Sequence, residues 1–209
     1  MVLLAFDTAT PRVTVAVHDG ESVLSAFTAE QPMRHGELLA PGIRTVLTEA
    51  GVSPRDLTRI AVGVGPGPFT GLRVGLVTAR TMGAALDIPV VGVCTLDVVA
   101  AAVTVDGPFL VATDARRREV YWARYQNPHT RLTAPAVDRP DAVAYDGPVA
   151  GGGATLYPDA FPQAVEPDHP SAADLARLVC QASVELLSAE PLYLRRPDVA
   201  EPGQRKRVL

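Results

Sequence analysis

Leu3-Leu4-Ala5-Phe6-Asp7-Thr8 returns, about a hundred residues later, as Leu110-Val111-Ala112-Thr113-Asp114-Ala115. Each is an apolar run that stops at an aspartate. After the first comes an alternating strand, with Val13, Val15 and Val17 on one face; after the second, a charged turn leads into the strand Glu119 to Tyr125. Two strand-Asp-turn-strand units predict a duplicated architecture with one lobe for each unit.

Working outward from the first unit, Asp19-Gly20 turns the chain into a third strand, Val23 to Thr28. Leu38, Leu39, Ile43, Val46 and Leu47 recur at helical spacing between Met33 and Ala50, with Pro41-Gly42 expected to bend that helix and Gly51 to stop it. A β-branched strand, Ile60 to Val64, enters the loop Gly65-Pro66-Gly67-Pro68-Phe69, and Thr70 is placed to cap a helix of about four turns. Pro89 to Val93 adds a strand and Leu96 to Val105 a short apolar helix. Around the second unit, residues 127–148 read as loops with one short helix at most. Ser171 and Asp174 form a variant capping box for a helix running through Leu186. The expected division is a first lobe at 1–105, a smaller second lobe at 106–194 and a basic tail at 195–209.

Composition narrows the function. Of 209 residues 47% are apolar and 20% charged, enough to build a full core. The net charge of −4 argues against a broad nucleic-acid surface, so any role with RNA is expected to be indirect, and the exception is the tail with Arg195, Arg196, Arg205, Lys206 and Arg207. Cys94 and Cys180 have no CxxC or Cys/His spacing and are expected to be thiols in a reducing cytoplasm. Val2 to Phe6 meets Asp7 at once, too soon for a signal peptide or a membrane span.

The residues that could carry chemistry are few. The loop at Gly65 lacks the Lys-Ser/Thr pair of a P-loop, Pro68 occupies the third-glycine place of a GxGxxG, and Pro66 and Pro68 remove two amide donors. His18, His35, His129 and His169 show neither HExxH nor an i, i+4 pair. There is no GxSxG. Asp7 with Thr8, and Asp114, stand at strand ends, where a carboxylate serves either a turn or a nucleotide phosphate with its Mg²⁺, and Gly151-Gly152-Gly153 is either a glycine loop or the remnant of an adenosine-binding turn. Gly71, Gly75, Ala79 and Gly83 recur every four residues, a small-residue stripe that predicts close approach of another helix. That helix is either the one at 33–50 or a helix of another subunit.

Gly65-Pro66-Gly67-Pro68-Phe69-Thr70-Gly71-Leu72-Arg73-Val74-Gly75 resembles the signature of the TsaB/YeaZ family. Leu4 to Thr10, Asp114-Ala115-Arg116 with Glu119-Val120-Tyr121, and Pro191 to Arg195 extend the resemblance over most of the chain; Pro68 departs from it, where the family commonly has Ser. The resemblance implies an α/β fold of the actin-like, Hsp70 and sugar-kinase (ASKHA) type with a reduced second lobe. It implies a catalytically degenerate subunit supporting TsaD, which threonylcarbamoylates tRNA adenosine 37, with TsaE in the same complex and a homodimer when alone. It places Thr95 and Val99 where the catalytic relative has its two metal-binding histidines, so no metal or cofactor of its own is expected, and ADP or ATP at the partner interface stays open. The implied interface runs over both first-lobe helices: His35, Leu39, Ile43 and Val46 on one, Gly71, Leu72, Gly75, Leu76, Ala79 and Gly83 on the other. A free-standing ATPase and an M22-type metallopeptidase are the competing readings.

Overall fold

Buried strands are continuously apolar because both faces are covered, and Leu3-Leu4-Ala5-Phe6 meets that condition. In the computed structural model, which describes residues 1–30 and 34–194, this stretch is the centre of a five-stranded sheet. Its elements are β1 (Leu3–Asp7), β2 (Arg12–His18), β3 (Val23–Glu30), α1 (His35–Glu49), β4 (Arg59–Gly63), α2 (Phe69–Leu86) and β5 (Val90–Val93). Strand order is β3-β2-β1-β4-β5, antiparallel through the meander and parallel from β1 to β4 to β5. Leu4 and Phe6 pack with Leu39, Ile43 and Val46 of α1 and Leu72, Leu76 and Ala79 of α2. Leu3 and Ala5, pointing the opposite way, pack with α5 (Ala172–Cys180) and Val98 of α3 (Thr95–Ala100).

The second sheet repeats the motif. β6 (Phe109–Asp114) pairs antiparallel with β7 (Val120–Asn127) and parallel with β10 (Val149–Ala150), as β1 does with β2 and β4. The helix that follows β10, α4 (Gly152–Leu156), is cut to five residues, and Gly151 at φ +94° makes the turn into it. Strands β8 (Thr130–Arg131), β9 (Ala136–Asp138) and β11 (Ala164–Val165) complete this sheet, so residues 127–148 hold two short strands that periodicity had not marked. They are too short to show an alternation.

Several expectations need correcting. Thr70 does not cap α2, which starts one residue earlier after Pro68 and has no side-chain cap. α1 continues through Pro41, which sits on its exposed side. α5 ends at Cys180, six residues early: Ala182 turns left-handed (φ +52°), and Ser183 N donates to Leu178 O at 3.1 Å to close the end. Ser171 Oγ accepts from Ala173 N, whereas Asp174 pairs with Arg177 instead of closing a reciprocal box. Although α5 lies within 106–194 by chain order, it packs on β1 to β4 of the first sheet. The expected basic tail at 195–209 lies outside the described residues.

Polar stitches join the sheets. Tyr125 OH donates to Asp97 of α3 at 2.7 Å, and Arg131 Nη1 lies 2.8 and 2.7 Å from its two oxygens. Across the molecule Arg12 reaches Asp168 at 3.2 Å. Leu187 pairs with Gly92, and Leu192 N donates to Val64 O, fastening residues 187–192 along the edge of the first sheet.

Candidate functional site

The two strand-end aspartates have different surroundings. Asp7 is fully buried: Oδ1 accepts from Ala9 N at 2.7 Å, and Oδ2 from Thr95 Oγ1 at 2.7 Å. Thr95 Oγ1 in turn accepts from Gly65 N at 3.2 Å, so one hydroxyl ties β1, the glycine-proline loop and α3 together. A Cβ on Gly63 would fall on this carboxylate, which explains the glycine at the end of β4. Burial pushes the Asp7 pKa above the usual carboxylate range, while the hydrogen bonds from Ala9 and Thr95 and the nearby His35 pull it back. Thr8 is also turned inward, its Oγ1 donating to Gly71 O at 2.8 Å. Both oxygens of Asp7 and the hydroxyl of Thr8 are spent inside the first lobe, so neither residue stands ready as a phosphate or metal ligand.

Asp114 is a turn residue of the second lobe. Its Oδ1 accepts from Arg116 N at 2.8 Å, and its Oδ2 lies 3.5 Å from the Arg116 guanidinium. Gly152 is the first residue of α4 rather than part of an open loop, and its neighbours are Asp168 O and the His169 ring. Thr95 and Val99 both lie in α3 and are fully buried. Among the described residues no group of three or more His, Cys, Asp or Glu side chains is placed to hold a metal.

The small-residue stripe is real but faces inward. A Cβ on Gly71 would lie 2.5 Å from Thr8 O, one on Gly75 would strike Thr8 Oγ1, and one on Gly83 would strike Val90. The stripe therefore seats α2 on the β1-β2 turn and on the sheet, and at its first glycine against α1, where a Cβ on Gly71 would lie 3.2 Å from the His35 ring. Leu39, Ile43, Val46, Leu72, Leu76 and Ala79 belong to the same core. His35 is half-buried, its Nε2 at 2.8 Å from Thr10 O. The outward face of α2 carries Phe69, Arg73, Val77 and Arg80 instead, and Val77 is 63% exposed. Arg73 lies over the Phe69 ring at 3.5 Å and its Nε donates to Tyr193 OH at 3.1 Å. Tyr193 stacks on Phe69 with centroids 5.3 Å apart, and Arg80 pairs with Glu190 at 2.9 Å. Arg73, Val77, Arg80, Glu190 and Tyr193 line a groove of about 540 Å³ between α2 and the 190–193 arm.

Beside that groove a second cleft, of about 360 Å³, opens where α1 and α2 begin. Thr8, Thr10, His35, Thr70 and Gly71 line it from the first lobe, and Arg116 from the second. The Thr10 side chain is buried, with no partner for its Oγ1. The first amides of α2 precede the first intrahelical bond, which Leu72 N makes to Pro68 O at 3.1 Å, so the positive end of an 18-residue helix faces this region. A guanidinium, two hydroxyls and a helix N-terminus suit an anion such as a phosphate. Sequence reading missed Thr10, Thr70 and Arg116 as a set; the one available signal was the arginine that follows Asp114-Ala115.

Comparison with known proteins shows the family. The family model described as TsaD, tRNA N6-adenosine threonylcarbamoyltransferase, matches residues 23–169. An uncharacterised protein of Mycobacterium tuberculosis is 44% identical over 94% of this chain and 92% of its own. The tRNA threonylcarbamoyladenosine biosynthesis protein TsaB of Escherichia coli is 32% identical, covering 93% of this chain and 95% of its own. The solved structure of YeaZ from Pseudomonas aeruginosa superposes with a TM-score of 0.77 at 33% identity, over 92% of this chain and 99% of that one.

Proposed function

The chain belongs to the TsaB (YeaZ) family of tRNA threonylcarbamoyladenosine biosynthesis proteins, and from that premise we propose that it is the non-catalytic subunit that supports the transferase TsaD. The observation that carries this reading is Asp7. On this fold a catalytic carboxylate at the end of the first strand needs free oxygens and access to phosphate, whereas Asp7 is sealed in the core with both oxygens occupied. A residue so placed stiffens the lobe and performs no group transfer.

The match of this chain to a TsaD model supports pairing of two related folds. The outer face of α2, with Phe69, Val77, Arg73, Arg80 and the stacked Tyr193, is the surface for that pairing. It combines exposed apolar and aromatic area with arginine, the mixture that marks interface cores. In the absence of TsaD the same face serves a homodimer; TsaE joins the assembled complex, and the work takes place in the cytoplasm. Among the described residues no helix is long and apolar enough to cross a membrane. The neighbouring cleft takes a phosphate of ADP or ATP held between the subunits, with Arg116, the Thr10 and Thr70 hydroxyls and the first amides of α2 as its donors.

The test is size-exclusion chromatography with light scattering on this chain, on TsaD from the same organism and on their mixture, followed by a tRNA modification assay on each. A heteromeric peak, with activity that this chain alone lacks and the mixture gains, supports the proposal. Activity from the isolated chain, or no complex, refutes it.

A further inference from the structure

Between β6 and β7 the chain places three arginines in succession in the left-handed region: Arg116 at φ +61°, Arg117 at +55° and Arg118 at +61°. An L-residue with a long side chain enters that region at a cost that glycine avoids. The turn is held there by three short-range bonds. Ala115 N donates to Glu119 O and Glu119 N to Arg116 O, both at 3.0 Å, and Asp114 Oδ1 fixes Arg116 N. All three arginines are exposed, and Arg116 already lines the cleft and pairs with Asp114. In a chain of net charge −4 this turn sets three exposed guanidinium groups at one tip between Asp114 and Glu119. Strain kept at an exposed tip where glycine would be cheaper points to a role for the side chains themselves.

Resting on the proposed function above, we propose that Arg117 and Arg118 contact the phosphodiester backbone of the tRNA substrate in the assembled complex. Guanidinium forks suit phosphate oxygens. A tip with no apolar centre lacks what a protein partner would bury. Two such contacts add to tRNA affinity without a broad basic surface, which reconciles RNA binding with the acidic composition of the chain.

The variant Arg117→Gly/Arg118→Gly separates this role from a structural one, because glycine accepts the turn conformation better than arginine does. The expected result is an unchanged or higher melting temperature, unchanged assembly with TsaD by size exclusion, and weaker binding of an unmodified tRNA transcript to the complex. Two phosphate contacts contribute a salt slope of about 1.8, so between 50 and 200 mM salt the wild type should lose roughly tenfold more affinity than the variant. Equal salt slopes overturn the proposal. Loss of TsaD binding with tRNA contacts intact also overturns it, reassigning the tip to a protein surface. If the wild-type chain fails to assemble with TsaD, the functional reading falls by itself, and the same salt titration on the isolated chain decides the tRNA contact.

Discussion

Thr95→Val removes one oxygen and keeps the shape of the side chain. In the native protein that oxygen donates to the buried Asp7 carboxylate at 2.7 Å and accepts from Gly65 N at 3.2 Å. The substitution deletes a hydrogen bond to a charged group, about 1.5–3 kcal/mol, and leaves a buried amide without a partner, about 1–3 kcal/mol more. A net loss of about 4 kcal/mol in a chain of this size lowers the melting temperature by roughly 10 °C. The pH dependence gives a second check. Burial raises the Asp7 pKa and the Thr95 hydroxyl holds it back, so the variant raises it further. A carboxyl whose folded pKa lies above its unfolded value contributes stability that is present at low pH and lost as pH rises through the folded pKa. The penalty of Thr95→Val is therefore largest where Asp7 is ionised in the wild type and shrinks as the pH falls. Melting curves of wild type, Thr95→Val and Thr95→Ser at several pH values test this, with serine expected to restore most of the loss. A melting temperature within about 1 °C of wild type near neutral pH, or a penalty that grows in acid, would refute the latch and return Asp7 to the list of ligand candidates.

Val77→Arg should leave the melting temperature almost unchanged, since Val77 is 63% exposed, yet abolish the TsaD complex on size exclusion. Arg131→Met strands the Asp97 carboxylate beside Tyr125 and should cost about 3 kcal/mol in urea unfolding, less as the pH falls because burial already raises the pKa of Asp97. Burial, with Asp97 adding to it, pushes the Cys94 thiol up to about 12, so a thiol reagent should leave Cys94 untouched in the native protein and modify it only after denaturation.

Much of the fold was legible because long buried strands announce themselves. Leu3 to Phe6 and Phe109 to Thr113 are too apolar to lie anywhere but between layers, and the aspartate after each marks where the layer ends. The stripe from Gly71 to Gly83 was legible as a face, but periodicity says which residues share a side, not what covers it. The cover turned out to be Thr8 and Val90 as well as His35 of α1. β8 and β9 span only two and three residues, below the length at which alternation carries information. The cleft was out of reach for another reason: Thr10 and Thr70 meet only where α2 seats on the β1-β2 turn, and Arg116 joins them only from the second lobe.

The position of α5 bears on synthesis of the chain. The face of the first sheet formed by Leu3, Ala5, Ala61 and Val93 is closed by Leu175, Ala176, Leu178 and Val179. On the ribosome, residues 3–93 emerge long before 172–180, so this apolar face stays open until the second sheet has been made. A nascent chain halted between the two would present a ready surface to a chaperone or to another nascent copy. The repeated lobes are thus joined into one folding unit by the segment made after both.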